Sequence, residues 1–570
     1  MSRTLFWYVF RDLLKVFFLA SGALAGIMSF GGLLRPLTEH GLGAGQVLRI
    51  LGYFMPAMST YSLPVAALFA TTMVYGRLSA DNELTACRAA GISYLSIAMP
   101  AFFLGLMVAS FSFVFIYFFV PVFSLKVDRV IYSNLAQLVA NQIERNHRID
   151  LEQADIPITV FAQEAQVLPS PPDDPTEQVV RLVAPMIVTY EGRAKNSPTQ
   201  KIQPPDEFYM ARSATAFIRQ DEQSGDVTLQ AELDGGLKFP RSTRGTERPG
   251  VQVSIGATRF SSEPMPSPVR ENTKFMDYFK LRELLLDPEK SRRLKRLLVK
   301  FHREDQQVQY LQSLAGALNS PDGSARFDTG SESYVLERGA GTVSIRNGRL
   351  TIVAQPDAQP PPRFRQERSG QLSLDASGQE IRVRASPSAP AGAQAPRRMD
   401  IDIELIDALV LAGEAVTPRS SFGRSFSVPM SQSLLNVEKN RAAYYLTGPN
   451  ASAEQRMRLQ QQMLKLSNSL VSEMHARASF SVSCLILVLV GCALGMMFKS
   501  GNFLSAFAVS VMPAMLCILL IITGQHTCEN VPWDIRTFNN PLQFGVAMIW
   551  AGNAVVVALA VVLLGRLQRQ

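Results

Sequence analysis

The stretch "YGRLSADNELTACRAAGIS", from Tyr75 to Ser93, is a charged connection between two of the most apolar parts of the chain. The charge-free run Ile50–Gly76 overlaps its start and has 27 residues, and Ala89–Leu125 overlaps its end and has 37. Because about 20 apolar residues span a bilayer as a helix, these runs predict membrane helices with a polar connection between them. A tight turn needs only a few polar residues, so a connection of this length predicts a short helix of its own.

Four further charge-free runs have the length of a membrane helix. They have 19, 21, 29 and 29 residues and cover Val16–Leu34, Ala478–Phe498, Ser500–Cys528 and Thr537–Gly565. The run Ala89–Leu125 is long enough for two crossings, but it has no polar turn near its middle, so we interpret it as one long helix. The sequence therefore predicts six spans, three before and three after a central block.

The central block has the composition of a soluble protein. Residues 126–476 hold 44 of the 56 Lys and Arg residues and 42 of the 48 Asp and Glu residues, whereas the other 219 residues carry only 18 charges. Soluble domains are about 25% charged. The predicted fold class is therefore an α-helical integral membrane protein of six helices with a large inserted β-rich, jelly-roll-like domain outside the cytoplasm.

The first apolar run has an alternative interpretation as a signal peptide. Arg3, Arg11 and Lys15 precede it, and "ALA" at Ala23–Ala25 imitates a cleavage site. The run is longer than the 7–15 apolar residues usual in such segments, and cleavage would leave five spans with the two termini on opposite sides. We expect the first run to be a membrane helix.

Basic residues in the short loops predict the orientation, because they accumulate on the cytoplasmic side. With both termini inside, eight of them are cytoplasmic: Arg3, Arg11, Lys15, Arg77, Arg88, Lys499, Arg566 and Arg569. The opposite short loops hold Arg35, Arg49 and Arg536. This bias places residues 126–476 outside the inner membrane and the Tyr75–Ser93 connection in the cytoplasm.

The pattern inside the block predicts several parts. Residues 126–270 alternate apolar and polar side chains between Gly, Asp and Pro, which indicates a β-sandwich or jelly roll. Residues 271–430 predict a further helical and β region with Pro-rich linkers, and residues 431–476 a helical lead-in to the last three spans at 477–570. The first three spans occupy residues 1–125, with a cytoplasmic helix at about 79–91.

Two motifs in residues 271–430 have a structural interpretation. The basic run "RRLKRLLVK" at 292–300 is typical of the solvated face of a packed helix, so we expect no nucleic-acid partner. The segments 337–354 and 367–385 both begin with Glu-Arg and alternate through Gly-containing turns, which predicts a short repeat of two hairpins.

The sequence contains no catalytic or metal-binding set. The five cysteines all lie outside the block, and the five histidines have no metal-ligand spacing. The Lys-Ser pair within Met496–Gly501 lacks the Gly-rich loop of a nucleotide site. We therefore expect neither a cofactor nor an enzyme activity, and any transport against a gradient needs energy from a partner.

The Tyr75–Ser93 connection has the residues of a capped helix. Ser79 is placed to cap it, Asp81 and Glu83 fall in its first turns, and Gly91 is placed to close it. These positions predict an exposed helix of about eleven residues to which an ATPase partner binds. The alternative is a polar turn at the membrane surface that binds nothing.

Two stretches resemble one protein family. "YGRLSADNELTACRAAGIS" is similar to the cytoplasmic loop of the lipopolysaccharide export permeases LptF and LptG, and "EMHARASF" at Glu473–Phe480 resembles their second recurrent stretch. The order of spans and external β domain is also similar. Residues 270–430 have no counterpart in the family that we assign.

The resemblance implies a function and a set of partners. Family members pair as a heterodimer on a cytosolic LptB-like ATPase, extract lipopolysaccharide from the inner membrane and pass it to periplasmic bridge proteins with jelly-roll folds. By position, Glu83 becomes the ATPase-docking carboxylate, with Asp81, Arg77 and Arg88 beside it. Arg35 matches a basic residue near the lipid phosphates in the LptF branch, or it is an interfacial anchor.

Two other classes of protein remain open at this stage. One is a mechanotransmitting ABC subunit that moves no lipid through its spans, although such proteins usually have four spans. The other is a scaffold that organises envelope assembly without transport. The sequence leaves open the LptF or LptG branch, the exact lipid, and whether the chain pairs with a copy of itself.

Overall fold

The computed structural model describes most of the chain, which divides into two compact units. The first unit comprises Met1–Ser133, Glu271–Leu294 and Ala451–Gln570, and the second comprises Asn134–Arg270 and Lys295–Asn450. The described residues are 3–40, 44–123, 135–150, 158–170, 177–190, 205–220, 227–234, 237–240, 252–253, 258–261, 272–330, 332–346, 348–355, 359–368, 371–387, 398–412, 415–430, 441–448, 451–497, 503–530 and 541–569.

The first unit contains the apolar helices. Within the described residues, six helical segments are long and apolar enough to cross a membrane: Arg3–Gly31, Met58–Ala80, Tyr94–Phe123, Ala453–Met497, Ala508–Glu529 and Pro541–Arg569. They belong to α1 (Arg3–His40), α2 (Ala44–Ala80), α4 (Tyr94–Val114, continued by a π-helical turn at Phe115–Phe119), α9 (Ala453–Met497), α10 (Phe503–Glu529) and α11 (Pro541–Arg569). Each of the six predicted spans therefore coincides with a helix, and the described part of Ala89–Leu125 holds a single membrane helix, as predicted.

Helices α2 and α9 form the centre of this unit. In each of them 72% of the spanning window is buried, against 28% or 33% in the other four. Close packing between them depends on Gly491 and Gly495, because a Cβ at Gly491 would lie 2.5 Å from the Thr71 hydroxyl and 2.9 Å from the Leu68 carbonyl oxygen. This is the close approach that small residues allow between membrane helices.

The similar Gly-xxx-Gly pair in α1 has a different environment. No described atom lies within 4 Å of a Cβ added at Gly22 or Gly26. Phe18, Leu19 and Ile27 around them are 66%, 78% and 70% exposed. This face of α1 is therefore apolar and open within the described chain, unlike the glycine face of α9.

The second unit begins with a β-sandwich whose two antiparallel sheets share a core with α5 (Leu135–Asn146). One sheet has the order β1-β2-β5-β6-β9-β10 and the other β11-β8-β7-β4-β3. Buried side chains of both sheets and of α5 meet in one cluster, which confirms the predicted β region. The strands are Arg148–Asp150, Ile158–Phe161, Glu164–Leu168, Gln178–Val183, Met186–Tyr190, Pro205–Met210, Ser213–Gln220, Val227–Asp234, Leu237–Pro240, Gln252–Val253 and Thr258–Ser261.

A nine-stranded antiparallel sheet packs against α7 (Arg292–Asn319) in the rest of this unit. Its order is β12-β13-β16-β17-β19-β18-β15-β14, with β20 paired to β19. Leu311, Leu314 and Leu318 of α7 lie in the apolar core of the sheet. The strands β12 to β20 are Ser324–Asp328, Glu332–Glu337, Gly341–Arg346, Arg349–Ala354, Arg363–Arg368, Gln371–Ser377, Glu380–Pro387, Arg398–Ala412 and Ala415–Pro429.

The predicted repeat of two hairpins is half right. Strands β14 and β15 pair directly as a hairpin, but β17 and β18 do not pair with each other. The 15-residue strand β19 lies between them and pairs with both. Local alternation therefore identified the strands, whereas a strand from later in the chain decided their neighbours.

The boundary predicted at residue 271 differs from the structure. Glu271–Leu294 groups with the apolar helices of the first unit, and only the residues from Lys295 onward group with the second. The segment contains a 3-10 turn at Thr273–Phe275, α6 (Tyr278–Leu286) and a second 3-10 turn at Pro288–Lys290. Met276, Leu281 and Leu284 pack with Tyr117 and Leu470 in one small core, which explains the grouping.

The predicted lead-in at 431–476 is two helices where it is described. Helix α8 covers Ala442–Thr447, and α9 begins at Ala453 and continues into the predicted fourth span without a break. Residues 431–440 lie outside the described part of the chain.

Candidate functional site

The helix in the Tyr75–Ser93 connection is α3, which covers Glu83–Ala89. It has seven residues, so it is shorter than the predicted eleven. Ser79 does not cap it, because α2 continues through Ala80 and the Ser79 hydroxyl donates a hydrogen bond to the Met496 carbonyl oxygen, 3.2 Å away. Asp81 consequently lies in the turn before α3 and not within its first turn.

The two ends of α3 are formed by turns in the left-handed backbone region. Asn82 precedes the helix with a φ of 59° and makes no side-chain capping bond. Gly91 follows it with a φ of +79°, a conformation that glycine adopts at little cost. Ser93 then caps α4, because its hydroxyl accepts a hydrogen bond from the Ser96 amide at 3.3 Å. Gly91 therefore closes α3 as predicted.

One face of α3 is fixed in the core of the apolar helices. Leu84 is 6% exposed, and Cys87 and Ile92 pack against the same core. The short helix is consequently attached to α2 and α4 by apolar contacts on one side, while Thr85 and Ala86 remain exposed on the other.

The two arginines predicted to join the docking surface have partners within the chain. Arg77 forms an ion pair with Asp12 of α1, and Asp12 also pairs with Lys15 at 3.4 Å. The Arg88 guanidinium lies 4.3 Å from the centre of the Tyr94 ring. These contacts connect α1 to α2 and α3 to α4, which is a structural role for both arginines.

The two acids of the connection are available to a partner. Among the described residues, no hydrogen bond or ion pair engages the Glu83 carboxylate, which is half-buried at the start of α3 and acts on Arg77 only through its charge. Asp81 is exposed in the preceding turn. A carboxylate on a helix anchored by Leu84 is well placed to receive a cationic side chain.

A second cluster of charge lies within the first unit at the stretch "EMHARASF". Glu473 and Arg477 are one helical turn apart on α9, and their side chains are 9% and 2% exposed. The Arg477 Nε donates to the Glu473 carboxylate at 2.8 Å. Charged side chains are almost never buried unless they are paired in this way.

The remaining donors of Arg477 bind the backbone of the Glu271–Leu294 segment. Its Nη1 donates to the Met276 carbonyl oxygen at 2.8 Å, and its Nη2 donates to those of Thr273 and Lys274, both at 3.0 Å. The guanidinium also lies 5.3 Å from the centre of the Tyr117 ring. One side chain of α9 therefore holds the 3-10 turn of that segment.

Contacts on either side of Arg477 extend this cluster to other helices. The Gln525 amide of α10 donates to the Glu473 carboxylate at 2.7 Å, and the Tyr117 hydroxyl donates to the Met474 carbonyl oxygen at 3.0 Å. Asn553 of α11 donates to the Ser479 carbonyl oxygen at 2.8 Å. Helices α9, α10, α11 and the end of α4 thus meet around one buried ion pair.

The segment held by Arg477 is itself ordered by local bonds. Asn272 accepts a hydrogen bond from the Lys274 amide at 3.1 Å, and Asp277 caps α6 by accepting from the Lys280 amide at 2.7 Å. Hydrogen bonds from Lys290 and Lys280 hold the pKa of the Glu283 carboxyl below its usual value. The turn is therefore pre-formed where it meets the guanidinium.

Sequence reasoning identified the stretch around Arg477 only by resemblance and assigned it no role. The available signal was a Glu and an Arg at i and i+4, within an otherwise apolar stripe that leads into a span. That spacing is common on exposed helices, and the partners at 273, 274 and 276 lie about two hundred residues away. The sequence could not have identified them.

Two remaining predictions concern Arg35 and metal binding. Arg35 lies in α1, but its side chain is outside the described part of the structure. In the residues described, no group of three or more His, Cys, Asp or Glu side chains is placed to hold a metal ion.

A protein-family model matches the chain in two regions, residues 7–166 and 396–566. Its description is "Lipopolysaccharide export system permease LptF/LptG". The match covers more than half of the chain, including α3 and the Glu473–Arg477 pair, and leaves residues 167–395 unmatched, among them the Thr273, Lys274 and Met276 partners of Arg477. No curated protein matches the chain.

Proposed function

Since the chain belongs to the lipopolysaccharide export permease family LptF/LptG, we propose that it is the permease subunit of an ABC transporter. In this proposal it extracts lipopolysaccharide, or a related glycolipid, from the inner membrane and passes it to a periplasmic bridge. A separate LptB-like cytosolic ATPase supplies the energy. Family membership identifies the chain as a transport permease and not an enzyme.

The observation that carries the ATPase partnership is the Glu83 carboxylate on α3. It has no hydrogen bond or ion pair among the described residues, and Leu84 fixes the helix to the core of the apolar helices. A force applied to α3 by a partner therefore reaches α2 and α4 directly. Asp81 is a secondary contact in this proposal, and Arg77 and Arg88 support the surface through Asp12 and Tyr94.

The proposed orientation has both termini and α3 in the cytoplasm, with three spans on each side of a periplasmic block at residues 126–476. It rests on the excess of basic residues in the short loops on one side. Arg35 then lies at the outer end of the first span, where its guanidinium can pair bidentately with a lipid phosphate.

Thiol labelling tests this orientation. We expect a membrane-impermeant maleimide applied to spheroplasts to label Ser386→Cys, at an exposed position of β18. Native Cys87 on α3 is half-exposed and is the internal control, because it should react only after the membrane is permeabilised; Cys484, Cys492, Cys517 and Cys528 are buried. Labelling of Cys87 from outside, or of Ser386→Cys only after permeabilisation, would reverse the orientation.

The proposed partners follow from this arrangement. A second permease subunit packs beside this one in the membrane, and the β-sandwich of the second unit passes lipid to bridge proteins of similar fold. The open apolar face of α1 around Gly22 and Gly26 is available to the second subunit. No nucleic acid takes part.

Purification of the complex tests the proposed function. We expect the detergent-solubilised protein to co-purify with an ABC ATPase and a second permease, with lipopolysaccharide identified among bound lipids by mass spectrometry. A scaffold would purify without the ATPase, and a mechanotransmitting subunit would carry the ATPase without bound lipopolysaccharide. Either result would replace the proposal with the corresponding alternative.

A further inference from the structure

The exposed face of the nine-stranded sheet carries a row of three arginines on neighbouring strands. Arg346 ends β14, Arg349 begins β15, and Arg384 lies in β18. The register pairs Arg346 with Arg349 and Leu350 with Val383, which brings Arg349 beside Arg384. The three form one line across the sheet, which we name the arginine row.

The alternation of the strands places this row on the side away from the core. Leu350 and Val383 are completely buried, whereas Arg346 and Arg384 are exposed and Arg349 is half-exposed. Successive residues of a strand point to opposite faces. The guanidinium groups therefore project from the outer face of the sheet.

Like charges directly opposite each other destabilise a sheet. Arg346 and Arg349 are such a pair, and within the described residues no ion pair engages either of them or Arg384. Arg382, one residue pair further along, differs because its Nε donates to the Glu380 carboxylate at 2.7 Å. Repulsion within the row is thus not relieved by an ion pair within the described chain.

Acidic residues border the row at β19. Asp402 of β19 lies opposite Arg384, and Glu404 lies opposite Arg382. These acids reduce the positive charge at the β19 side of the row. The end formed by the hairpin of β14 and β15 is therefore the more positive one. An anion is consequently attracted to Arg346 and Arg349 first, with Arg384 as the third contact.

A groove lies over the row. It has a volume of about 400 Å³ and is lined by the arginine row and Arg382, together with Gln307, Gly348 and Thr351. The Gln307 amide of α7 donates to the Gly348 carbonyl oxygen at 3.1 Å and holds the hairpin turn in place. Strands lie about 4.8 Å apart, so the row extends over roughly 10 Å, which is wide enough for more than one phosphate group.

We propose that the arginine row binds the phosphate groups of a phosphorylated lipid headgroup. Arginine forks match the geometry of phosphate oxygens bidentately, and the flanking Thr351 and Gln307 side chains supply neutral hydrogen-bonding groups. That the phosphate belongs to a lipid rests on the proposed function. The row lies in residues 167–395, which the family model does not match.

Direct binding tests the row separately from transport. The probe is a water-soluble headgroup, lipopolysaccharide freed of its acyl chains, titrated onto the full-length protein in nanodiscs without an ATPase. We expect the triple variant Arg346→Ala/Arg349→Ala/Arg384→Ala to bind it about tenfold or more weakly than wild type, and salt to weaken wild-type binding. Removal of the phosphates from the probe should cause a similar loss.

A matched control removes three arginines of the same sheet that have acidic partners. These are Arg326, Arg365 and Arg368, which pair with Glu367, Glu337 and Glu332. The control Arg326→Ala/Arg365→Ala/Arg368→Ala has the same change of net charge and should bind as tightly as wild type. A loss equal to that of the row variant would mean that net charge alone attracts the probe, and would overturn the site.

Equal binding of the headgroup by wild type and by the row variant would overturn the site. Two other phosphate-containing probes test whether the bound phosphate belongs to a lipid. Inorganic pyrophosphate or a single-stranded oligonucleotide that binds as tightly as the headgroup would overturn the assignment to a lipid. A protein that fails to export lipopolysaccharide but still binds the headgroup through the row would refute the proposed function and leave the site intact.

Discussion

Glu83→Arg should abolish ATPase association and lipid export while the protein still inserts and folds. Because the carboxylate makes no hydrogen bond or ion pair in the described chain, its replacement breaks neither kind of internal bond. An acid that is desolvated in an interface costs about 2–5 kcal/mol when it is removed from its partner, and the new arginine adds repulsion. Co-purification of the ATPase and lipopolysaccharide transfer in proteoliposomes measure the two losses.

Asp81→Arg is the matched control for this variant. It makes the same change of charge two residues away, on a side chain that is exposed in the turn before α3. We expect a clearly smaller loss of ATPase association, because an exposed ion pair contributes only about 0–1 kcal/mol. Normal ATPase binding and lipid export by the Glu83→Arg variant would contradict the docking role of α3. The connection would then be a polar turn that binds no ATPase.

The second large effect is expected at Arg477. Arg477→Met removes the partner of buried Glu473 and leaves the Thr273, Lys274 and Met276 carbonyl groups without this donor. Breaking a buried pair by removing one partner costs about 3–5 kcal/mol. We expect a strongly lowered melting temperature in detergent and faster proteolysis within residues 272–290, which Arg477 holds to α9.

The same helix supplies a control with the same spacing. Arg458 pairs with Glu454 at i and i+4, but both side chains are exposed, at 49% and 66%. Arg458→Met should change stability by no more than about 1 kcal/mol. Comparable effects of the two variants would show that burial adds nothing to the Arg477 pair.

A double variant separates charge from geometry at this pair. Glu473→Leu together with Arg477→Met leaves no unpaired charge in the core, and such replacements are often far less costly than the single change. We therefore expect it to melt at a higher temperature than Arg477→Met alone. The segment at 272–290 should still be cleaved faster than in wild type, because its carbonyl groups remain without the guanidinium.

The sequence predicted the membrane helices and the strands because these depend on local patterns. A run of about 20 residues without charge has few alternatives to a spanning helix, and each of the six runs coincides with one. Alternation also located β14 and β15. The position of β19 between β17 and β18 was not predictable, because its residues come after a Pro- and Ala-rich stretch and no local signal specifies which strand it will pair with.

The candidate site was predicted in part for the same reason. Glu83 stands out locally as an acid between two apolar runs, but the capping role predicted for Ser79 was wrong because α2 continues past it. Arg77 was predicted as a docking residue from its place beside α3, whereas its ion pair with Asp12 of α1, 65 positions earlier in the chain, was not predicted. Contacts over such separations have no signature in a single sequence.

The packing of α2 against α9 has a consequence for biogenesis. Ser79 and its acceptor Met496 are 417 positions apart, and ribosomes add about 5–20 residues per second, so roughly 20–80 s separate their synthesis. During that interval the residues of the second unit are synthesised, while Thr71 and the surface that will receive Gly491 face lipid or an insertase. A nascent chain stalled inside that unit therefore leaves half a bundle, which membrane proteases can recognise before the protein is complete.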